Sequence, residues 1–218
     1  MMSTRLQLDN DHTPYLDNQH DTHTMIAMGS TEAHFGPHWR WTPLKPDNPE
    51  DRRKANQIVQ TLRETLAPYR DYHVAIEHGF RPFLQNVSLA NFHSMSHWRG
   101  FMELYRFGPA EPTALLYRKT SNGIELKGAM YTALEGASTD SLDNRIPLSI
   151  TRWHAHVHLC FPPSGRSNTV DWSVFGPTGS LEKQEDCQAA GGQWFPEVFG
   201  WMVHVYPFED TPEKILAH

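Results

Sequence analysis

The chain predicts an α+β fold: a single domain in which an antiparallel sheet has helices packed on one face. Three patterns carry that expectation. Apolar residues recur at helical spacing between residues 49 and 78, while residues 114–131 alternate around an Asn-Gly turn. Two further segments, 153–160 and 201–206, alternate in hydropathy with a period of two. The hairpin, the histidine segment and the C-terminal segment are expected to form the antiparallel sheet, with helices from 49–78 and 180–190 covering one face, which is the α+β arrangement. A length of 218 residues with 39% apolar and 11% aromatic content suits one core of this size.

Residues 1–30 are polar and without periodicity, and read as a flexible N-terminal arm ahead of a domain spanning 31–218. The segment Gly29–Pro49 holds four prolines and the cluster Phe35-Gly36-Pro37-His38-Trp39-Arg40-Trp41, an aromatic loop that must be pinned to the body. Asn48 then caps a helix: Pro49 suits its first position, and Glu50 and Asp51 sit where the positive end of the helix dipole favours acids. Ala55, Ile58, Val59, Leu62 and Leu66 form its buried stripe, and Pro68 interrupts it. A second helix runs from a cap at Asp71 to His78, with Gly79 as its left-handed stop.

Ser96 caps a third helix through Trp98 to Tyr105, which leaves His93 in a loop at its mouth. Asn122-Gly123 turns a hairpin between 114–118 and 124–131, with Ile124, Leu126 and Met130 expected on one face. Ser138 to Asn144 reads as one capped helical turn. Ser180 is expected to cap a compact helix that Gly191-Gly192 ends. The segment from Gly200 to Pro207 reads as the last strand, with Met202, His204 and Tyr206 on one face.

Between these lies Trp153-His154-Ala155-His156-Val157-His158-Leu159-Cys160. On a strand the three histidines and the cysteine share one face, and the apolar residues share the other. The chain holds 14 histidines against 19 lysines and arginines, dispersed and not in a tag-like run. Imidazole is the usual ligand of zinc, copper and iron, and two ligands on one strand completed from a neighbour make a rigid site with an open position. His154, His156, His158, His204 and His93 are therefore the candidate metal ligands. Adjacent pairs matter most on the His154–His158 strand, and His34, His38 and His97 stand in reserve. The expected cofactor is a transition-metal ion, copper or zinc, with iron as the third candidate; Met95 and Met202 lean the expectation toward copper. Such an ion activates water or dioxygen for a small-molecule substrate. A non-catalytic metal carrier or sensor, or a metal-free binding protein, are the competing readings. Ser94 follows His93 where a zincin would carry Glu, which excludes that signature.

Several of these segments together resemble a group of uncharacterised bacterial proteins. They are Tyr69-Arg70-Asp71 to Gly79-Phe80, Phe92-His93, Leu115-Leu116-Tyr117, Gly128-Ala129-Met130-Tyr131, Trp153-His154-Ala155-His156-Val157 and Gly200 to Pro207. The resemblance covers roughly residues 35 to 209 and implies a bacterial origin and a shared architecture, without an activity.

A net charge of −6 supplies no general attraction to nucleic acid or anionic lipid, and no apolar run is long enough to cross a bilayer. Phosphate-binding glycine loops are absent. The polar start, without an apolar leader, reads as cytoplasmic, or as periplasmic if a leader has been removed. Cys160 and Cys187, the two cysteines, are either one disulfide, implying an oxidising compartment, or two separate thiols.

Overall fold

The structure is a computed structural model that describes residues 36–83, 90–167 and 169–216. The expected arm 1–30, with His12, His20 and His23, lies outside them, as does His34.

The first strand, β1 (Trp39–Trp41), falls in the segment expected as a loop. Helix α1 (Pro49–Thr65) starts where its sequence says: the Asn48 side chain accepts from the Glu50 N–H at 2.9 Å. It buries Ala55, Ile58, Val59 and Leu62. A 3₁₀ turn, Ala67–Arg70, follows, then α2 (Tyr72–Glu77), capped by Asp71 and closed by Gly79 at φ 85°. Next come β2 (Arg81–Pro82), β3 (Asn91–Met95) and α3 (His97–Glu103), with Ser96 as N-cap. The hairpin is β4 (Ala114–Thr120) and β5 (Gly123–Ala133). After it lie α4 (Thr139–Arg145), β6 (His154–Phe161), α5 (Gln184–Ala189), β7 (Gln193–Val205) and α6 (Pro212–Ile215).

All seven strands join one antiparallel sheet in the order β1-β6-β7-β5-β4-β3-β2. The expected α+β class is what the chain forms. Leu115, Tyr117, Ala129, Tyr131, Val203, Val205 and Trp153 point from the sheet into a core closed by α1 and by Ala75 of α2. On the opposite face a smaller apolar group, Met95, Ala114, Leu116, Met130 and Met202, packs beside the histidines.

Several local expectations are corrected. His93 is on strand β3, paired opposite Leu116, and not in a loop. Leu126 and Met130 do not share a face. The pairing of β4 with β5 slips between Leu116 and Tyr117, so Leu126 enters the helix-covered core and Met130 the histidine face. The helix expected from Ser180 starts later, at Gln184, with Lys183 at its cap position and no side-chain capping bond. The alternation of the histidine strand also breaks: His158 has φ 56° and an exposed side chain. Val157 pairs with Glu197 and Leu159 with Phe195, so Pro196, which lacks an N–H, is the register partner of His158.

The cysteines form a disulfide, Cys160–Cys187, which ties the end of β6 to α5. Both are buried in a third apolar cluster with Phe175. Gly192 lies against the bridge, where an added Cβ would sit 2.5 Å from the Cys160 sulfur. No helix among the described residues is long and apolar enough to cross a membrane.

Candidate metal centre

Directly opposed residues of antiparallel strands project to the same face. Trp39 faces His156 and Trp41 faces His154; His154 faces Met202, His204 faces Met130, Met130 faces Ala114, and Ala114 faces Met95. One sheet face therefore carries His93, His154, His156 and His204, bordered by three methionines and two tryptophans.

A flat sheet would keep β3 and β7 about 14 Å apart, since β4 and β5 lie between them at about 4.8 Å per strand. Yet His93 Nε2 and His204 Nε2 stand 3.1 Å from each other, so the sheet curls over its histidine face. Two backbone features permit the curl. Gly128 has no side chain where a Cβ would lie 2.2 Å from the Val205 carbonyl oxygen. Phe199 and Gly200 are both left-handed, at φ 64° and 67°, within the irregular stretch of β7 opposite His154 and His156. A bulky residue in that region stores strain that its surroundings must over-determine. Phe199 is held by Phe83, just beyond β2 on the far edge of the sheet, at 4.7 Å between ring centres.

The imidazoles converge. Ring centres are 5.3 Å apart for His93–His204, 5.0 Å for His154–His204 and 5.5 Å for His154–His156. His154 and His204 are each 3% exposed. The Nε2 of His154 and the Nδ1 of His156 are buried without a hydrogen-bond partner. A buried ring nitrogen left in that state is costly, and native proteins satisfy such atoms with a partner or an ion.

Burial, chiefly, holds the four rings neutral. It pushes His93 down to about 4 and His156 to about 3, the latter with smaller contributions from His93 and His38. His154 and His204 are pushed well below 6.5 by burial and then by their histidine neighbours. No carboxylate contributes to any of the four shifts.

Of the expected ligands, His93, His154, His156 and His204 are brought together and His158 is not. The His158 ring turns outward and stacks on Trp194, ring centres 6.0 Å apart. Cys160, in its disulfide, is no ligand. Among the reserves, His38 Nε2 is engaged by the Gly179 carbonyl at 2.8 Å and His97 is exposed at the start of α3. As the side chains stand, no group of three or more His, Cys, Asp or Glu among the described residues is gathered to hold an ion. The gathered pair is His93–His204, whose Nε2 atoms share a hydrogen bond at 3.1 Å. Two ligands on a tetrahedral ion with bonds of about 2.0–2.1 Å lie about 3.3–3.4 Å apart, close to the observed separation.

Trp39 and Trp41 are the members of the site that reading the residues missed. Their ring centres stack 5.7 Å apart; Trp39 lies 4.1 Å from His156 and 5.1 Å from His154, and Trp41 lies 4.9 Å from His154. The Trp-x-Trp alternation at 39–41 was the available signal for a short strand. Glu103, Glu125 and Glu197 are engaged elsewhere: Glu103 with Thr113, Glu125 with Arg118, Glu197 with Arg40.

Comparison of the chain with protein-family models, with curated proteins and with solved structures finds no match.

Proposed function

We propose that this chain is a histidine-ligated mononuclear transition-metal protein, holding copper or zinc, with iron as the third candidate, through His93, His154, His156 and His204. The observation that carries the reading is a pair of imidazole Nε2 atoms at 3.1 Å beside two buried ring nitrogens without partners. Rotation of His154 and His156 about their side-chain bonds would bring three or four nitrogens to one ion. With three protein ligands, one coordination position stays open for water, dioxygen or a small-molecule substrate.

What the ion would do there divides two readings. With a coordination position open, the ion would activate water or dioxygen; with that position filled, the chain would be a non-catalytic carrier or sensor. The Cys160–Cys187 disulfide suits an oxidising compartment for either.

Elemental analysis of protein purified without a nickel column tests the proposal. One ion per chain is expected, retained by His158→Ala and lost when His154→Ala and His204→Ala are combined. No ion in any preparation, or equal loading of that double variant, would overturn it. Azide or cyanide added to the loaded protein then separates the two roles, because an open site changes its spectrum and a closed one does not.

A further inference from the structure

Resting on the metal-site reading above, we propose that the site selects a soft monovalent cation, Cu(I), and that Trp39 and Trp41 are residues that set this selectivity. The charge balance comes first. The four imidazoles are neutral ligands, and no acidic group among the described residues acts on them. The cost of moving an ion out of water rises with the square of its charge, so an uncompensated divalent ion costs about four times as much here as a monovalent one.

The wall chemistry points the same way. Met202 is the direct cross-strand partner of His154, and Met130 that of His204. Met95, Met130 and Met202 form one buried cluster on this face, with thioethers that favour soft ions such as Cu(I). The indoles close the remaining side. Strand β1 is the edge of the sheet, and its register sets Trp39 and Trp41 across from His156 and His154. Their ring centres lie 4.1–5.1 Å from those imidazoles at tilts of 42–60°, so an ion held by His154 and His156 would lie beside the indoles. Cation–π attraction acts within about 6 Å of the ring centre and strengthens where water is excluded. Neutral nitrogens, thioethers and indole faces together match a soft monovalent ion better than Zn(II).

The test uses the full chain, stripped of metal by a chelator. Cu(I) is added anaerobically against a chromophoric Cu(I) chelator, and Zn(II) separately against a zinc-responsive dye, with tryptophan emission followed in both. One Cu(I) per chain is expected, undisplaced by tenfold Zn(II), with emission falling by about 30%, the share of two tryptophans in seven. Combining Trp39→Phe with Trp41→Phe should remove that quench and weaken Cu(I) about tenfold while leaving Zn(II) affinity unchanged. Should the double variant fail to fold, each single substitution should remove part of the quench and weaken Cu(I) about threefold. Displacement of Cu(I) by Zn(II), or a quench and affinity undiminished in the variants, overturns the inference. Binding of Zn(II) without Cu(I) overturns it and leaves the metal site standing; binding of neither overturns both.

Discussion

Replacing Glu103 by Gln should make the protein more stable at neutral pH and leave it unchanged in acid. Glu103 is 2% exposed, on α3 against β5. Its Oε2 accepts from the Thr113 hydroxyl and from the Thr132 N–H at 3.2 Å, while Oε1 is buried without a partner. Burial pushes this carboxyl up to about 8, against smaller opposing effects of Thr113, Thr132 and Arg145. An acid raised in this way is protonated in both folded and unfolded chains below about 4.5, so there it costs nothing. Between 4.5 and 8 the unfolded chain releases the proton and the folded one keeps it, and stability falls by about 1.4 kcal/mol per pH unit. At pH 7 the loss is on the order of 3 kcal/mol. Gln keeps an acceptor for the Thr132 N–H and never ionises. Glu103→Gln should therefore raise the midpoint of thermal unfolding at pH 7 by about 6–12 °C, at about 2–4 °C per kcal/mol for a domain of this size, and by little at pH 4. Circular dichroism melts at both pH values measure the difference. Equal melting at pH 7, or a less stable variant there, would refute a protonated buried carboxyl.

The disulfide closes a loop with a sequence separation of 27, worth about 3.5 kcal/mol by chain entropy. Combining Cys160→Ala with Cys187→Ala should lower the melting midpoint by about 7–14 °C, and an unchanged midpoint would contradict the bridge. Gly128→Ala should cost about 3 kcal/mol in urea unfolding, because its Cβ meets the Val205 carbonyl at 2.2 Å; Gly136→Ala, with nothing within 4 Å, is the neutral control. If both substitutions cost the same, the curled sheet is wrong. The neutral histidines add stability above pH 6.5 that is lost as pH falls from 6.5 toward about 4, the value for His93. Urea midpoints of the metal-free chain should fall across that window and fall less in His93→Gln. Equal slopes for the two proteins would count against the buried cluster.

The helical and hairpin segments were legible because each carries its own boundary chemistry. Asn48, Asp71, Ser96 and Ser138 all cap helices through side-chain acceptors, and Gly123, at φ 124°, completes the Asn-Gly turn. Four of the five candidate ligands converge, because strand alternation puts His154 and His156 on the face that His204 shares. The fifth failed for a local reason. Alternation assumes a regular strand, and His158, across from Pro196, is left-handed. The faces of Leu126 and Met130 were misread for a related reason, since a single slip between Leu116 and Tyr117 exchanges inside for outside. The approach of His93 to His204 was beyond local reading altogether. It follows from the curl of a whole sheet, permitted by Gly128 and by the Phe199–Gly200 irregularity, and periodicity is silent on curvature. The aromatic strand was hidden by its neighbours: Pro37 and Pro43 flank Trp39–Trp41 and make the segment read as a loop. The disulfide was open for want of any spacing rule with two cysteines, and contact between β6 and α5 decides it.

X-ray absorption spectroscopy on the metal-loaded chain tests the central claim most directly, because it reads the atoms bound to the ion. Three or four nitrogen neighbours at about 2.0–2.1 Å, with the outer-shell scattering of imidazole rings, are predicted for the native chain. That shell should lose imidazole scattering in His93→Ala and stay intact in His158→Ala. A shell of oxygen atoms alone, or one that His93→Ala leaves untouched, would contradict the account.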